Sequence, residues 1–221
     1  MQFKTPAPVL AVLDIPAGSI RLIAADRADT TVEVLPADAS KGRDVKAAEQ
    51  TEVTHDDGVV RIEGPKGGNR LLGPSGAIEV TIQLPTGSRA EAKAADAEFR
   101  GVGRLGEVAF EGQRAQIKLD EAEGVRLTTL AGDVTVGRLG GAGEIRTQKG
   151  DIHIAEAERG TITLRTEYGG ISVGAARGVS ASLDAGTSFG RIRNTLKNTD
   201  GAAALTIHAT TAHGDISARS L

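Results

Sequence analysis

The sequence predicts an all-β fold, a single-domain β-solenoid of stacked repeats with one short helix near its N-terminus. From about residue 124 onward the chain repeats one pattern five times: an alternating strand, a glycine-centred turn, and a second alternation that begins with Val or Ile. The chain also contains 29 glycines and only 2% aromatic residues. Small and β-branched side chains must therefore fill a narrow interior, as in a solenoid.

The repeats align by the inward residue that begins each second strand. These residues are Val134, Ile152, Ile171, Ile192 and Ile216, with spacings of 18, 19, 21 and 24 residues. A period of this length is typical of an array in which each repeat forms one coil. We expect the coils to stack about 4.8 Å apart, so that inward residues form core columns and outward residues form surface columns.

The chain has 221 residues and no linker rich in Pro or Ser, which favours one domain over residues 1–221. Within it we predict irregular strands, a short helix and loops over residues 1–100. Repeat coils follow over residues 101–221, degenerate at first and regular later. The C-terminal coil, residues 205–221, is expected to be the last of the array.

Local patterns predict the elements of the first hundred residues. Residues 14–27 and 83–97 share an apolar-Pro-x-Gly-Ser core, which favours a turn that leads into a new strand. A helix is predicted over residues 44–53, where Ala, Glu and Gln replace the strand spacing. Alternation predicts strands at residues 30–35, 59–63 and 77–84.

The loop at residues 65–76 is rich in Gly and Pro and contains Lys66 and Arg70. It lacks the Gly-Lys-Ser/Thr ending and the strand–loop–helix setting of a phosphate-binding loop. We interpret it as an ordinary hairpin loop.

Alternation also sorts the side chains of the regular coils into an inward and an outward set. The inward set is Leu127, Val134, Val136, Ile145, Ile152, Ile154, Ile162, Leu164, Ile171, Val173, Leu183, Ile192, Leu205, Ile207 and Ile216. The outward set is Arg126, Thr135, Arg146, His153, Arg165, Ser172, Asp184, Arg193, His208 and Ser217.

Composition excludes several classes of partner. The formal net charge of −3 lacks the positive footprint of a nucleic-acid-binding protein. The absence of cysteine excludes disulfides and thiol chemistry and fits a reducing compartment. No segment is apolar enough to span a bilayer, and the N-terminal residues lack a signal-peptide pattern. We therefore expect no nucleic-acid partner, no transmembrane segment and a cytoplasmic location.

The acidic residues that recur after turn glycines do not form a convincing metal or catalytic site. They are Asp133, Asp151 and Asp215, while Gly170 and Arg191 stand at the equivalent positions of the other coils. Ca²⁺ requires six to eight oxygen ligands, and no nucleophile accompanies these acids. We interpret them as turn residues and predict no catalytic residues, no metal site and no cofactor.

The four histidines show no paired ligand spacing. His55 is expected in a loop, His153 and His208 on the outer face, and His213 in a turn. We interpret all four as solvated side chains.

The segment around Ile192 departs most from the repeat pattern and is the best candidate for a binding site. Arg191 and Arg193 flank the inward Ile192 and would share one face, where two guanidinium groups could hold a carboxylate or a phosphate. Alternatively the segment is a structural corner, in which Phe189 fills the interior and Asn194 forms a turn.

Several segments together resemble an actinobacterial β-strand-repeat family provisionally named as adhesins and related to toast-rack β-solenoids. They are LDIPAGSIRLIAADRADTTVEV, DVKAAEQTEV, PTGSR, the Gly-Asp-Val/Ile turns, TSFGRIRNTL and HATTAHGDISARSL. The likeness covers essentially the whole chain and implies a β-solenoid fold. It supplies no activity, because function has to be argued from a site.

We therefore expect a non-enzymatic scaffold or interaction module that binds a protein partner or a second copy of itself, with no small-molecule substrate. An uncovered C-terminal coil would expose unpaired backbone groups, which makes Ser217 and Arg219 the predicted interface edge. The alternative is a carbohydrate-active or cell-surface-binding β-helix protein. Such proteins use acidic grooves and aromatic platforms, and this chain has few aromatic residues.

Overall fold

The computed structural model describes residues 1–65, 76–198 and 202–221. In these ranges it confirms the all-β prediction, with sixteen strands that pair into one sheet and a single short helix. The chain divides into two compact units, Met1–Ala115 and Gln116–Leu221. The long strand β7 contributes residues to both. The division into residues 1–100 and 101–221 within one domain stays a prediction.

In the first unit, alternating apolar residues form strands around a short helix. The elements are β1 (Gln2–Lys4), β2 (Leu10–Ala25), β3 (Asp29–Pro36), α1 (Gly42–Glu49), β4 (Glu52–Asp56), β5 (Val59–Glu63), β6 (Ile78–Pro85) and the first part of β7 (Arg89–Thr128). β2 pairs in parallel with β7 on one side and with β5 and β6 on the other. β1, β3 and β4 add antiparallel pairings, β1 to β3, β3 to β6 and β4 to β5.

The helix ends earlier than predicted. Glu52 and Val53 belong to β4, because they pair with β5, and His55 lies in that strand rather than in a loop. α1 packs against β3 and β6. The buried carboxylate of Asp44 accepts a hydrogen bond from the backbone N–H of Ala77 at 3.0 Å. This bond ties the helix to the start of β6.

One of the two predicted Pro-Gly turns is confirmed and the other is wrong. The segment between β6 and β7 turns with a hydrogen bond from the N–H of Ser88 to the carbonyl of Pro85 at 3.2 Å. Pro16 and Gly18, in contrast, lie inside β2. Pairing with β7 continues on both sides of Pro16, so the sheet overrides the local turn preference. Residues 66–75 of the predicted loop lie outside the described residues.

In the second unit, strands stack into two parallel ladders, and each coil contributes one strand to each ladder. The strands are the last part of β7, β8 (Val134–Leu139), β9 (Gly143–Arg146), β10 (Ile152–Ala157), β11 (Gly160–Arg165), β12 (Ile171–Ala175), β13 (Ala181–Phe189), β14 (Ile192–Thr195), β15 (Leu205–His213) and β16 (Ile216–Ser220). The first ladder runs β7-β8-β10-β12-β16-β14 and the second runs β7-β9-β11-β15-β13.

The two ladders show that the coils do not stack in sequence order. β15 pairs with β11 on one side and with β13 on the other. β16 likewise pairs with both β12 and β14. The C-terminal coil is therefore inserted between two earlier coils, and β13 with β14 forms the end of the array. We call residues 181–195, which comprise these two strands (Ala181–Phe189 and Ile192–Thr195) and the two residues between them, the terminal coil.

The core of the second unit is the predicted set of inward residues, with exceptions confined to the terminal coil. Val134, Ile152, Ile171 and Ile216 are adjacent in one column and are buried. Ile192 occupies the next place in that column but is 47% exposed. Leu183 is half-buried. The prediction that Ile192 is inward is therefore right about its column and wrong about its burial, since no described coil covers it.

Candidate functional site

The terminal coil presents an uncovered strand edge. Among the described strands, β14 pairs only with β16 and β13 only with β15. The four residues of β14 are all exposed. The prediction that Ser217 and Arg219 form the edge is wrong, because Ser217 pairs with Ser172 on one side and with Arg193 on the other, so that β16 lies inside the first ladder. The edge of the first ladder is instead β14, which precedes β16 in the sequence.

The geometry of the β14–β16 pair indicates which backbone groups face the open side. The N–H of Ile216 donates to the carbonyl of Arg191 at 2.9 Å. The carbonyl of Arg191 therefore faces β16, and by the alternation of a parallel ladder so does the N–H of Arg193. The N–H and C=O of Ile192 point the other way, toward the open edge.

Three planar side chains stack at the corner of the coils, where the strands of the second ladder end and those of the first ladder start. The rings of Tyr168 and His213 are parallel, with centroids 5.0 Å apart and an interplanar angle of 2°. The ring of Phe189 stacks on the other face of His213, at 4.8 Å and 3°. Tyr168 is 56% exposed and Phe189 is 69% exposed. The prediction that Phe189 fills the interior is therefore wrong.

Stacking occupies both faces of the central His213 ring, and among the described residues no ring stacks on the outer face of Phe189, at the end of the array. Sequence reasoning treated His213 as a solvated turn residue and missed this arrangement. A signal was present, because Tyr168, His213 and Phe189 each directly precede a glycine in three copies of the repeat. Equivalent positions of stacked coils become neighbours, so aromatic residues there meet face to face.

The charges of the terminal coil are mainly positive. The backbone N–H of Arg191 donates to Oδ1 of Asp215 at 2.9 Å, and the Arg191 guanidinium lies 3.4 Å from Oδ2. The hydrogen bond from the Arg191 N–H, followed by the charges of Arg191 and Arg193, lowers the pKa of Asp215. In the part of the chain that is described, Arg193 forms no ion pair. The predicted pair of guanidinium groups thus lies on the open coil.

Asn194 has the structural role that was one of its two predicted interpretations. Its side-chain oxygen accepts a hydrogen bond from the N–H of Leu196 at 3.0 Å, two residues on. This is the geometry of an Asx turn. Asn194 therefore ends the terminal strand, and Arg191 and Arg193 remain the polar groups available to a ligand.

The recurring carboxylates hold neighbouring coils together. Asp133 Oδ1 accepts the backbone N–H of Asp151 at 2.8 Å, and Asp151 Oδ1 accepts that of Gly170 at 2.7 Å. Asp215 does the same for Arg191. Each carboxylate thus binds a backbone donor of the next coil. Over residues 1–65, 76–198 and 202–221 no group of three or more possible ligands could hold a metal ion.

A shallow groove runs along the same corner. It is lined by Asp151, His153, Ser172, Asp215 and Ser217 together with Ile152, Gly170 and Ile171. Nδ1 of His153 and Oγ of Ser172 are 2.5 Å apart. The carboxylates of Asp151 and Asp215 bind backbone N–H groups, and no described contact joins either of them to His153. A serine and a histidine on an open surface without an orienting acid do not make an activated nucleophile.

Comparisons with known proteins identify the kind of chain. The sequence profile of the family described as Toastrack DUF4097 matches residues 12–220. A search of curated proteins gives no significant match. No helix of the described chain is both long and apolar enough to cross a membrane.

Several solved structures are similar to the chain at low sequence identity. One, from Clostridium sporogenes, is provisionally named a cell adhesion protein and has 12% identity and a TM-score of 0.38, covering 100% of this chain and 98% of that one. An adhesin, so named provisionally, from Bacteroides fragilis has 10% identity and a TM-score of 0.45, with 99% and 95% covered. Another from Parabacteroides distasonis has 11% identity and a TM-score of 0.43, with 98% and 95% covered.

Proposed function

The chain belongs to the Toastrack DUF4097 family, and on this premise we propose that it is a non-enzymatic binding module that takes up an extended, acidic segment of a partner protein at its terminal coil. The observation that carries the proposal is the open edge of β14, where Ile192 is 47% exposed although its column is buried everywhere else. Strand addition to such an edge is a common mode of peptide recognition.

An edge strand presents unpaired N–H and C=O groups, which pair readily with another chain unless they are covered or blocked. β14 contains no proline, and no described helix or strand covers it. Ile192 and Phe189 add exposed apolar surface beside the free backbone groups. Hydrogen bonds to the edge would supply affinity, and the side chains around it would supply specificity.

Charge favours an acidic partner. Residues 185–198 contain Arg191, Arg193 and Lys197 and no Asp or Glu, although the whole chain has a formal net charge of −3. Two copies of the chain joined edge to edge would bring arginine against arginine, and like charges opposed across a strand pair are destabilising. An acidic segment would instead be attracted to the edge and held in register.

A display library of short random segments, selected on the immobilised protein, tests the proposal. We expect the wild type to enrich acidic segments with high strand propensity. Ile192→Pro removes the N–H at the open edge and should abolish the enrichment. Ile192→Val keeps the donor and should preserve it.

A charge reversal sharpens the experiment. Arg193→Glu should shift the enriched segments from acidic to basic, whereas Arg165→Glu, an exposed site on β11, should leave them acidic. If the Ile192→Pro and Arg193→Glu variants both enrich the same acidic segments as the wild type, the proposal is contradicted. Self-association in light scattering that Ile192→Pro abolishes would make a second copy of the chain the occupant and would also contradict it.

The carbohydrate-binding alternative has one observation in its favour, the groove that contains both Asp151 and Asp215. Sugars stack on exposed ring faces, but Tyr168 and His213 stack on each other and do not line this groove. Glycan binding that is lost in Asp151→Ala and retained in Ile192→Pro would support the alternative and would contradict strand addition.

A further inference from the structure

We infer that the terminal coil recognises a short sequence in its partner: an aromatic residue, a glycine, a carboxylate and a β-branched aliphatic residue at consecutive positions, bound parallel to β14. The inference rests on the proposed function and deepens it. It follows from the columns of the second unit, in which each position of a coil has a constant chemical role. A bound segment would occupy the place of one more coil.

The corner of each coil supplies four columns in sequence order. In the terminal coil these positions are Phe189, Gly190, Arg191 and Ile192. In the coil beside it they are His213, Gly214, Asp215 and Ile216, paired in register with the first set. The incoming segment therefore has four defined neighbours.

Backbone hydrogen bonds define the orientation. The N–H of Gly132, Gly150, Gly169 and Gly214 donates to the carbonyl of the residue before the glycine in the next coil, at 2.8–3.0 Å. The N–H of Val134, Ile152, Ile171 and Ile216 donates at 2.9 Å to the carbonyl at the carboxylate position of the next coil.

The next donors in these two series are Gly190 and Ile192, and no described coil lies beyond them. A segment that runs parallel to β14 offers both of them a carbonyl in the register that the array already uses. An antiparallel segment places its carbonyls and side chains differently. The parallel direction is therefore the one that continues the ladder.

The first position favours an aromatic residue because the outer face of Phe189 is open. The existing rings are parallel at spacings of 5.0 and 4.8 Å, close to the separation of the coils themselves. A ring from the incoming segment would extend this stack by one member. Such a contact adds to affinity beyond the area that it buries.

The second position requires glycine. A Cβ atom built on Gly150, Gly169, Gly214 or Gly190 would lie 2.0–2.2 Å from the carbonyl oxygen of the glycine in the preceding coil. The backbones approach too closely at this corner for any side chain. In the same geometry, the Cβ of an incoming residue would meet the carbonyl oxygen of Gly190.

The third and fourth positions follow from charge and from the exposed core column. A carboxylate at the third position would lie beside Arg191, on the side opposite Asp215. An Ile or Val at the fourth position would cover Ile192, as Ile216 covers Ile171. A second acid at the fifth position would lie beside Arg193.

Synthetic peptides test the inference with the full chain. The forward peptide contains Phe-Gly-Asp-Ile-Glu between neutral polar flanks with blocked ends. The reversed peptide has the same composition and charge in the order Glu-Ile-Asp-Gly-Phe. A third peptide replaces the glycine by alanine. Binding is measured by isothermal titration calorimetry against the wild type, Ile192→Pro and Ile192→Val.

We expect the forward peptide to bind at least about tenfold more tightly than the reversed and alanine peptides. Ile192→Pro should abolish its binding, and Ile192→Val should retain it. Equal binding of forward and reversed peptides would overturn the inference, and so would no binding of either. The library selection judges the proposed function separately, because acidic segments enriched without this motif would leave strand addition intact while overturning the motif.

Discussion

Asp215 and Arg191 join neighbouring coils although Arg191 comes 24 residues earlier in the sequence, with 2.9 Å between the Asp215 Oδ1 and the backbone nitrogen of Arg191. The terminal coil comes before the C-terminal residues in the sequence but lies beyond them in the stack. The C-terminal residues occupy the place between the terminal coil and the earlier coils. The contact therefore fastens the terminal coil to the coil that was inserted last. It also gives that attachment a dependence on pH.

Removal of the Asp215 charge should destabilise the protein at neutral pH but not in acid. In the folded state the N–H of Arg191 and the charges of Arg191 and Arg193 lower the pKa of Asp215 from its ordinary value of 3.8. The stabilisation is thus present above that ordinary value and is lost as pH falls through the lower folded pKa. Urea unfolding should show Asp215→Asn less stable than wild type at pH 7, with the difference closing below about pH 4. A difference that persists unchanged in acid, or an equal effect of the exposed control Glu98→Gln, would contradict this explanation.

Adjacent residues of β10 should differ sharply in their tolerance of a carboxylate. Ile152 is 1% exposed in the core column, whereas His153 is exposed. Ile152→Asp buries an unpaired charge and should cost about 4 kcal/mol or more, and His153→Asp should cost less than about 1 kcal/mol. Chemical denaturation measures both. Similar losses would mean that the inside and outside of the coil are assigned incorrectly.

Truncation at the end of the core column should be mild compared with truncation one coil further in. Ile216 is 1% exposed between β12 and β14, and Ile192 is 47% exposed. Ile216→Ala should lower the free energy of unfolding by about 2–5 kcal/mol, and Ile192→Ala by about 1 kcal/mol or less. Equal costs in urea melts would indicate that another element covers Ile192.

The glycine column should tolerate no side chain, in contrast to a glycine in the terminal coil. At Gly150, φ is +149° and an added Cβ would lie 2.2 Å from the carbonyl oxygen of Gly132. Gly150→Ala should therefore cost about 3 kcal/mol or more. Gly186→Ala, where a Cβ would meet nothing within 4 Å, should cost nothing measurable. Thermal melts measure both variants. Equal melting temperatures for Gly150→Ala and Gly186→Ala would exclude close packing at this corner.

The sequence predicts the solenoid and its columns well, because alternation and turn glycines are local signals that recur in every coil. It does not predict the order of the coils. Ile192 and Ile216 follow the same local pattern, and only nonlocal pairing decides which of them lies beside Ile171. The predicted interface edge at Ser217 and Arg219 was wrong for this reason.

The candidate binding residues show the same division. Arg191 and Arg193 were identified from their spacing around an inward residue and do lie on the open coil. The alternative interpretation of this segment as a structural corner placed Phe189 in the interior, whereas the structure leaves it 69% exposed. Its stacking on His213 depends on the order of coils and becomes visible only when equivalent positions are superimposed.

Cysteine pairs introduced into the outward column of the first ladder test the order of coils directly. The natural chain has no cysteine, so the two introduced thiols of each pair have no other thiol in the chain with which to form a disulfide. Ser217 lies between Ser172 and Arg193, about 4.8 Å from each and within disulfide range, whereas Ser172 and Arg193 are roughly twice that distance apart. Oxidation should therefore join Ser217→Cys to Arg193→Cys, and Ser217→Cys to Ser172→Cys, but should not join Ser172→Cys to Arg193→Cys. A disulfide between Ser172→Cys and Arg193→Cys, with none between Ser217→Cys and Ser172→Cys, would mean that the coils stack in sequence order and that residues 181–195 are not the terminal coil.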